Sequence, residues 1–500
     1  MDVKALEIAS MAIQSDSERA LYYIRTEASC CEIWSDGSCT ISDDSLSRRK
    51  LVPAVSKTVM EMANGRVNFN LPFVPERIRT EARQLESRGV IARCRFSDVP
   101  APIGLRDTHY IKNVKWAITG RCNYRCKHCF LSAPEARFGE LPLEDCKRVI
   151  REMEEIGVSS VSLSGGEPLV RPDFMEIVDE LVKKGINIQS ISTNGALVSD
   201  RLLDNLEQRG QKPNFAMSFD GVGWHDWLRG IDGAEKMLMG KFELLTKRGF
   251  LTISAMTLHK RNAGVLRETI NCLADKGVNL VIINRMTNFG QWKKYGQDFN
   301  ITQKQVLDLY LKYLPDFYAD GMPTNVVLNR VIDLKKNSFD YKISAIHSHR
   351  CSEKTKICPA AFQEMFITAD GKLAPCLPIS GMDGQQANFA DLTQMHLRDA
   401  LERSAYSACV GSTIKDYFAK NKECADCPYK WYCRGGCRAQ ALEFDENDFM
   451  GVDRHRCEFF FGHYTEKILK RLAETVPDAR CVNLPEDYPL DPEIWQPVGF

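Results

Sequence analysis

Between Lys112 and Tyr318 the chain repeats one pattern six times, a short apolar run of β type followed by an amphipathic stretch of helical period. The runs are Val114–Ile118, Ser160–Leu163, Ile188–Ile191, Phe215–Phe219, Leu251–Met256 and Val278–Ile283. The spacing predicts helices over Leu143–Ile156, Pro172–Lys184, Ser199–Arg209, Ala234–Arg248, Leu266–Lys276 and Thr302–Tyr318. Neighbouring parallel strands need a crossover between them, so this alternation folds as a parallel α/β sheet. Six repeats predict a partial (β/α)6 barrel of TIM-like type. In such folds the chemistry collects at the C-terminal ends of the strands.

The motifs fall at those ends. After the first run comes Cys122-Asn-Tyr-Arg-Cys126-Lys-His-Cys129. A zinc site closes with four ligands, and no fourth Cys or suitably spaced His follows until Cys146. Thiolates also hold iron–sulfur cubes, which take four ligands. Three cysteines leave one iron open to a substrate or cofactor. A chance trio of core cysteines is the plain alternative, but core periodicity does not produce this spacing. After the second run, Ser164-Gly165-Gly166-Glu167-Pro168 offers a backbone without side chains and a carboxylate, both suited to an ammonium group. The third run ends in Ser192-Thr193-Asn194-Gly195, and the fourth in Ser218-Phe219-Asp220-Gly221 followed by His225–Gly230. An Arg fork such as Arg229 suits a carboxylate; a surface salt bridge is its plain alternative. His225 and Asp226 read as loop-shaping residues.

Cysteines return in the last third as Cys351-x6-Cys358-x12-Gly371-x4-Cys376, then Cys424-x2-Cys427-x5-Cys433-x3-Cys437, with Cys457 closing. Eight thiols are the number two four-iron cubes require, and a zinc ribbon is the generic alternative. Nineteen cysteines in a chain with no signal-peptide pattern speak for metal rather than disulfides. Cys94, Cys146, Cys272, Cys409 and Cys481 have no motif partner and read as structural, and Cys30, Cys31 and Cys39 as ordinary thiols. Lys+Arg and Asp+Glu are 66 each, so no charge excess points to nucleic acid or an anionic membrane. No apolar run is long enough to span a bilayer. The expected location is the cytoplasm.

The C-x3-C-x2-C spacing, with the GGEP turn 36 residues later, resembles the radical S-adenosylmethionine (SAM) enzymes. The C-terminal spacing resembles their SPASM extension, an Fe–S domain with two auxiliary clusters. The resemblance implies a [4Fe–4S] cluster on Cys122, Cys126 and Cys129, and SAM contacts from Gly165, Gly166, Glu167, Asn194, Ser218 and Arg229. It also implies an aromatic neighbour for the adenine, with His128 at that position and Phe130 as a second candidate. Cys424, Cys427, Cys433 and Cys457 would hold the outer auxiliary cluster. Cys358, Cys376 and Cys437 would hold the inner one, with Cys351 as fourth ligand or, failing that, an open iron. Three [4Fe–4S] clusters and SAM are the cofactors so implied, with a flavodoxin- or ferredoxin-like reductant.

Ahead of the barrel, Ala5–Ile24 reads as a helix and Ser29–Ile41 as a hairpin turning at Ser35-Asp36-Gly37. Val52–Ala63 and Pro75–Arg88 read as helices, the second stopped by Gly89 before a strand at Val90–Arg93. This is a winged-helix-like module. Its Lys+Arg and Asp+Glu are 14 each over residues 1–100, without the basic footprint of a DNA binder. The order resembles the leader-peptide recognition module of peptide-modifying radical enzymes. The expected domains are therefore 1–105 for this module, 106–321 for the barrel, 322–349 as connector, 350–460 for SPASM, and 461–500 as helix and tail. The expected function is a radical SAM peptide maturase, acting on a ribosomal precursor peptide with a leader and forming a thioether or C–C crosslink by two-electron oxidation. Formylglycine formation of the sulfatase-maturating type and small-molecule dehydrogenation are the alternatives. The first of these carries an acidic residue directly after the Cys of the G-x4-C element, where this chain has Leu377. An iron–sulfur electron carrier would have no use for the SAM motifs. No general base can be chosen.

Overall fold

The computed structural model describes residues 21–25, 30–33, 39–43, 46–51, 53–95, 103–105, 111, 113–131, 138–296, 298–347, 352–358 and 360–495, together with Val3, Leu6, Glu7 and Ser10. Cys351 and the turn Ser35–Gly37 lie outside these residues. The chain divides into two units. The first is Met1–Lys112 with Glu154–Ser159 and Lys183–Asn187, and the second is the remainder.

The first unit contains β1 (Tyr22–Arg25), β2 (Cys30–Ile33), β3 (Cys39–Asp43), β4 (Leu46–Leu51), β5 (Ile91–Cys94) and β6 (Ile103–Leu105), with helices α1 (Ala54–Met62) and α2 (Glu76–Ser87) between β4 and β5. The expected hairpin is β2–β3, in register from Cys30–Ser42 to Ile33–Cys39. Helix α2 buries Ile78, Ala82 and Leu85, spaced four and three apart, on the same core as Val59, Met60, Phe69 and Ile91. Gly89 follows it with φ 72°, the left-handed stop that glycine adopts without cost. The helix expected over Ala5–Ile24 does not reach Ile24. Tyr22–Arg25 is a strand that pairs antiparallel with β5. The aromatic and β-branched Tyr-Tyr-Ile run favours a pleat, and Tyr23 is buried edge-on against Phe69 with its hydroxyl on Glu86 at 2.9 Å. The hairpin belongs instead to a separate sheet of order β4-β3-β2-β6.

The second unit contains the six expected strands, β7 (Val114–Ala117), β8 (Ser160–Ser164), β9 (Asn187–Thr193), β10 (Asn214–Ser218), β11 (Thr252–Leu258) and β12 (Leu280–Arg285). Its helices include α3 (Leu143–Glu155), α4 (Phe174–Lys183), α5 (Asp200–Gln208), α6 (His225–Arg229), α7 (Ala234–Lys247), α8 (Leu266–Asp275) and α9 (Gln303–Ala319). Alternate residues of a strand face opposite ways, and the two faces differ sharply. Trp116, Leu163, Ile191, Met217, Met256 and Ile283 form one face, each at most 1% exposed. On the other, pairing sets Ala117 beside Ser164, Ser192 beside Ala216, Ser218 beside Ala255, and Thr257 beside Asn284. These side chains are small or polar, and all but Ala117 are incompletely buried. The sheet thus keeps one face open for a ligand.

The sheet does not stop at six strands. Residues within the expected connector form β13 (Asn325–Leu328), β14 (Ile332–Leu334) and β15 (Asp340–Lys342), with β13 parallel to β12. On the opposite edge, β16 (Phe366–Ile367) lies parallel on β7, followed by β17 (Lys372–Ala374) and β18 (Ala390–Asp391). With β19 (Arg480–Cys481) against β15, thirteen strands form one open, mostly parallel sheet. The C-terminal cysteine region is therefore stitched to the first barrel strand by backbone hydrogen bonds. The helix expected within 461–500 is observed as Tyr464–Thr475, and a separate helix, Arg454–Phe461, precedes it. Among the described residues no helix is long and apolar enough to cross a membrane.

Candidate functional site

The loop carrying Cys122, Cys126 and Cys129 leaves the C-terminal end of β7 and is held at several points. Buried Arg171 donates to the Ile118 carbonyl at 2.5 Å and to Leu141 O at 2.8 Å, fixing the strand end from which the loop departs. Lys127 N–H donates to Leu228 O, and its ammonium to Trp227 O at 2.8 Å, tying the loop to α6. Burial pushes the Cys122 thiol up to about 11, with smaller contributions from Cys126, Glu167 and Cys129. The three thiols thus sit near enough to feel one another's charge. Among the described residues, no three His, Cys, Asp or Glu side chains converge on a single-ion point. Three thiolates are a donor set that fits a four-iron cluster with one iron left for another ligand.

Gly165 and Gly166 are packed against this loop. A Cβ on Gly165 would collide with Thr119 O and one on Gly166 with Arg121 O, while Gly166 N–H and Glu167 N–H donate to those same carbonyls at 2.8 Å. The glycines are needed so that the turn can lie on the segment entering the cysteine loop. Glu167, fully buried, accepts from Thr193 Oγ1 at 2.8 Å, Leu169 N at 3.1 Å and Asn194 N at 2.7 Å. Burial raises its pKa, and those donors offset part of the rise. Its carboxylate is a strut between the ends of β8 and β9 as well as an acceptor at the rim. Asn194 in turn donates from Nδ2 to Asn123 Oδ1 at 2.7 Å, inside the cysteine loop.

Ser218 ends β10 on the open face. Arg229, 9% exposed, is not a surface salt bridge: Nη2 lies 2.7 Å from Asp220 Oδ2 and Nη1 donates to Cys126 Sγ at 3.6 Å. Asp220 is fully buried and also accepts from Thr257 N at 3.3 Å. His225 Nδ1 accepts from Asp220 N–H, and Asp226 accepts from Gly233 N and Glu235 N, so both shape the loop as expected. Around them, Trp227, His259, Trp292 and Phe299 form contacting rings, with Arg261 stacked over Trp224, Trp227 and Phe299. His128 Nδ1, Arg229 Nε and His259 Nε2 are buried without a hydrogen-bond partner. Burial lowers His128 to about 3 and His259 to about 4, so both are neutral. Orphaned polar atoms beside a glycine cradle and an open sheet face fit a polar cofactor such as SAM. Phe130, the second adenine candidate, packs its ring edge-on against Phe289, and a Cβ on Gly381 would strike it.

Cys358, Cys376 and Cys437 pack on one core with Phe289, Ile379 and Tyr417, and Cys424 packs on the same core; burial first and then the charge of Cys437 push Cys376 up to about 12. Cys457, raised to about 11 by burial, interacts with Cys424 and Cys427, and Cys433 with Cys457 and Cys424. Gly435 and Gly436, with φ 76° and 73°, turn the chain between Cys433 and Cys437, and Asp453 Oδ2 receives Cys437 N–H at 2.8 Å. Buried Arg438 clamps the turn through Phe449 O and Gly451 O and stacks on Tyr417. Tyr417 Oη lies 3.4 Å from Cys424 Sγ and Arg330 Nη1 3.2 Å from Cys437 Sγ. Cys409, read from sequence as unpartnered, packs on the same core and is raised to about 12 by burial and by Cys358.

Asp220, Arg171, Arg330, Tyr417 and the aromatic belt had no motif to announce them. Only the position of Asp220, two residues after Ser218 at a strand end, was a usable signal.

Residues 116–273 match the Radical SAM superfamily, and residues 358–428 match the SPASM iron-sulfur cluster-binding domain. An AdoMet-dependent heme synthase of Methanosarcina barkeri is 26% identical over 66% of this chain and 91% of its own. The antilisterial bacteriocin subtilosin biosynthesis protein AlbA of Bacillus subtilis is 24% identical over 71% of each chain. Streptococcus suis SuiB bound to precursor peptide SuiA superposes with a TM-score of 0.58 at 14% identity, over 87% of this chain and 100% of that one. Radical SAM domains bind SAM and a [4Fe–4S] cluster, and SPASM domains bind auxiliary iron–sulfur clusters. The chain carries a Radical SAM domain over residues 116–273 and a SPASM iron–sulfur domain over residues 358–428.

Proposed function

We propose that this enzyme oxidises a ribosomally made precursor peptide, removing two hydrogens to form a thioether or carbon–carbon crosslink. The observation that carries the reading is the first unit. A catalytic sheet with a C-terminal cysteine region needs no separate unit built on Met1–Lys112 to act on a small molecule. Among the described residues, the outer edges of β4 and β6 carry no further strand. Such an edge can receive an extended leader as an added strand, with main-chain hydrogen bonds supplying affinity. The likeness to AlbA and to a peptide-bound SuiB supports the same substrate class.

The ligand sets follow the thiol groups. Cys122, Cys126 and Cys129 hold the SAM cluster; Cys358, Cys376 and Cys437 belong to the inner auxiliary cluster, and Cys424, Cys427, Cys433 and Cys457 to the outer. When bound, the first cluster and SAM supply a hydrogen-abstracting 5′-deoxyadenosyl radical. The chain's own part is to hold and orient. Gly165 and Gly166 let SAM approach the backbone, Glu167 and Asn194 lock the rim, Ser218 and Arg229 receive the polar end of SAM, and the open strand face admits the peptide.

A heme-type reading is favoured by the Methanosarcina relative, which is matched over most of its own length. That match reaches only 66% of this chain. Anaerobic, reduced enzyme given SAM and a candidate precursor peptide should yield 5′-deoxyadenosine and a peptide lighter by two hydrogens per crosslink. Turnover of an iron porphyrin with the peptide unchanged would establish the heme reading. The mass change to formylglycine would establish the sulfatase-type alternative.

A further inference from the structure

Strand β13 ends in two successive residues with left-handed backbone, Asn329 at φ 38° and Arg330 at φ 57°, and neither is glycine. The two residues are the central positions of the turn joining β13 to β14, closed by Val331 N–H on Leu328 O, and a hairpin turn of this kind takes positive φ at both. Asn329 N–H donates to Ile283 O and Val331 N–H to Leu328 O, both at 2.7 Å, and Arg456 Nη1 lies 3.5 Å from Arg330 O. The result is to aim the Arg330 side chain at the inner thiol group, where Nη1 donates to Cys437 Sγ at 3.2 Å. Its charge also reaches Cys376 and Cys358. Among the described residues no carboxylate lies within ion-pair distance of this guanidinium, whereas Arg171, Arg229 and Arg285 each have one. Surface ion pairing therefore does not explain its placement.

We propose that Arg330 is a positioning residue that sets the reduction potential of the inner auxiliary cluster; the inference rests on the assignment of Cys358, Cys376 and Cys437 to that cluster. A cluster on thiolate ligands becomes more negative on reduction. A fixed cation donating an N–H to a ligand sulfur stabilises the reduced form and raises the potential. At the outer group Arg454 and Arg456 act on the thiols through their charge, and the side chain at hydrogen-bond distance from a sulfur there is Tyr417, with Oη 3.4 Å from Cys424 Sγ. The guanidinium hydrogen bond of Arg330 so favours the inner cluster as acceptor of the electron left by substrate oxidation.

The test uses reconstituted holoenzyme in four forms: wild type, Cys437→Ala, Arg330→Gln and Arg330→Lys. Iron content and low-temperature electron paramagnetic resonance of Cys437→Ala identify the inner cluster's signal. Full iron and every signal retained in that variant would refute the ligand assignment, independently of Arg330. Redox titration of Arg330→Gln should then show normal iron and a lowered midpoint for that signal alone. The expected fall is about tenfold in the reduced-to-oxidised ratio at fixed potential, ~59 mV for one electron. Arg330→Lys, which keeps the charge, should recover part of it. The proposal is overturned if both Arg330 variants titrate as wild type, or if both lose iron to the Cys437→Ala level, since Arg330 would then hold the cluster rather than tune it.

Discussion

Arg229 and Asp220 form a buried ion pair, Nη2 to Oδ2 at 2.7 Å, and the other arm of the guanidinium reaches Cys126 Sγ. The end of β10 is thereby connected through one side chain to the middle cysteine of the loop. Arg229 also remains available through its unpartnered Nε. Removing one partner of a buried pair leaves the other's charge uncompensated, which costs about 3–5 kcal/mol. Asp220→Asn should lose about that much in urea unfolding of the intact chain. A loss below ~1 kcal/mol would mean that the pair is solvated.

The same pair predicts an acid sensitivity. Burial alone would raise the Asp220 carboxyl, but Arg229, helped by His225, outweighs it and holds it well below the usual carboxylate range. A depressed folded pKa gives stability that is present above the unfolded value, about 3.9, and lost as pH falls through it. Unfolding free energy should therefore decline more steeply below about pH 4 in wild type than in Asp220→Asn. Parallel pH profiles would contradict this.

Gly166→Ala should damage SAM use more than folding. The added methyl meets the Arg121 carbonyl and the Cys122 side chain, so relief requires the cysteine loop to shift. Overpacking of this kind costs about 1–3 kcal/mol, and a misplaced reacting group costs about a hundredfold in rate. Formation of 5′-deoxyadenosine should drop about that much, with thermal unfolding lowered by a few degrees. Unchanged cleavage would show that the turn does not touch SAM.

The two cysteine regions should separate functionally. Cys126→Ala should abolish 5′-deoxyadenosine formation, whereas Cys427→Ala should keep part of it while losing crosslinked product. Equal loss of both activities in a folded Cys427→Ala protein would contradict the division.

The barrel was legible in the sequence because each strand of five or so residues is followed by a helix with an apolar face, and two periods alternate without interruption. The additions to the sheet were not. Strands β14 to β19 are two or three residues long, too short for alternation to register, and β16 is placed on β7 by pairing across 250 residues of chain. Strand β1 was absorbed into a helix because Tyr22–Arg25 follows an amphipathic stretch without a breaker. At the site, metal spacing made the cysteines visible and two glycines marked the turn. The internal duty of Glu167 and the turning of Phe130 toward Phe289 depend on which neighbours the fold supplies. The same holds for Asp220, an ordinary carboxylate until the end of β10 sets it against Arg229, and for Arg330, an ordinary cation until the turn after β13 brings Cys437 Sγ within reach.

The most direct test of the central claim is transfer of a labelled hydrogen. The precursor peptide would carry deuterium on its carbon-bound positions and be incubated anaerobically with SAM and reductant. The account predicts 5′-deoxyadenosine containing deuterium and a peptide that has lost two hydrogens per crosslink. Deuterium-free 5′-deoxyadenosine with an unaltered peptide would contradict it.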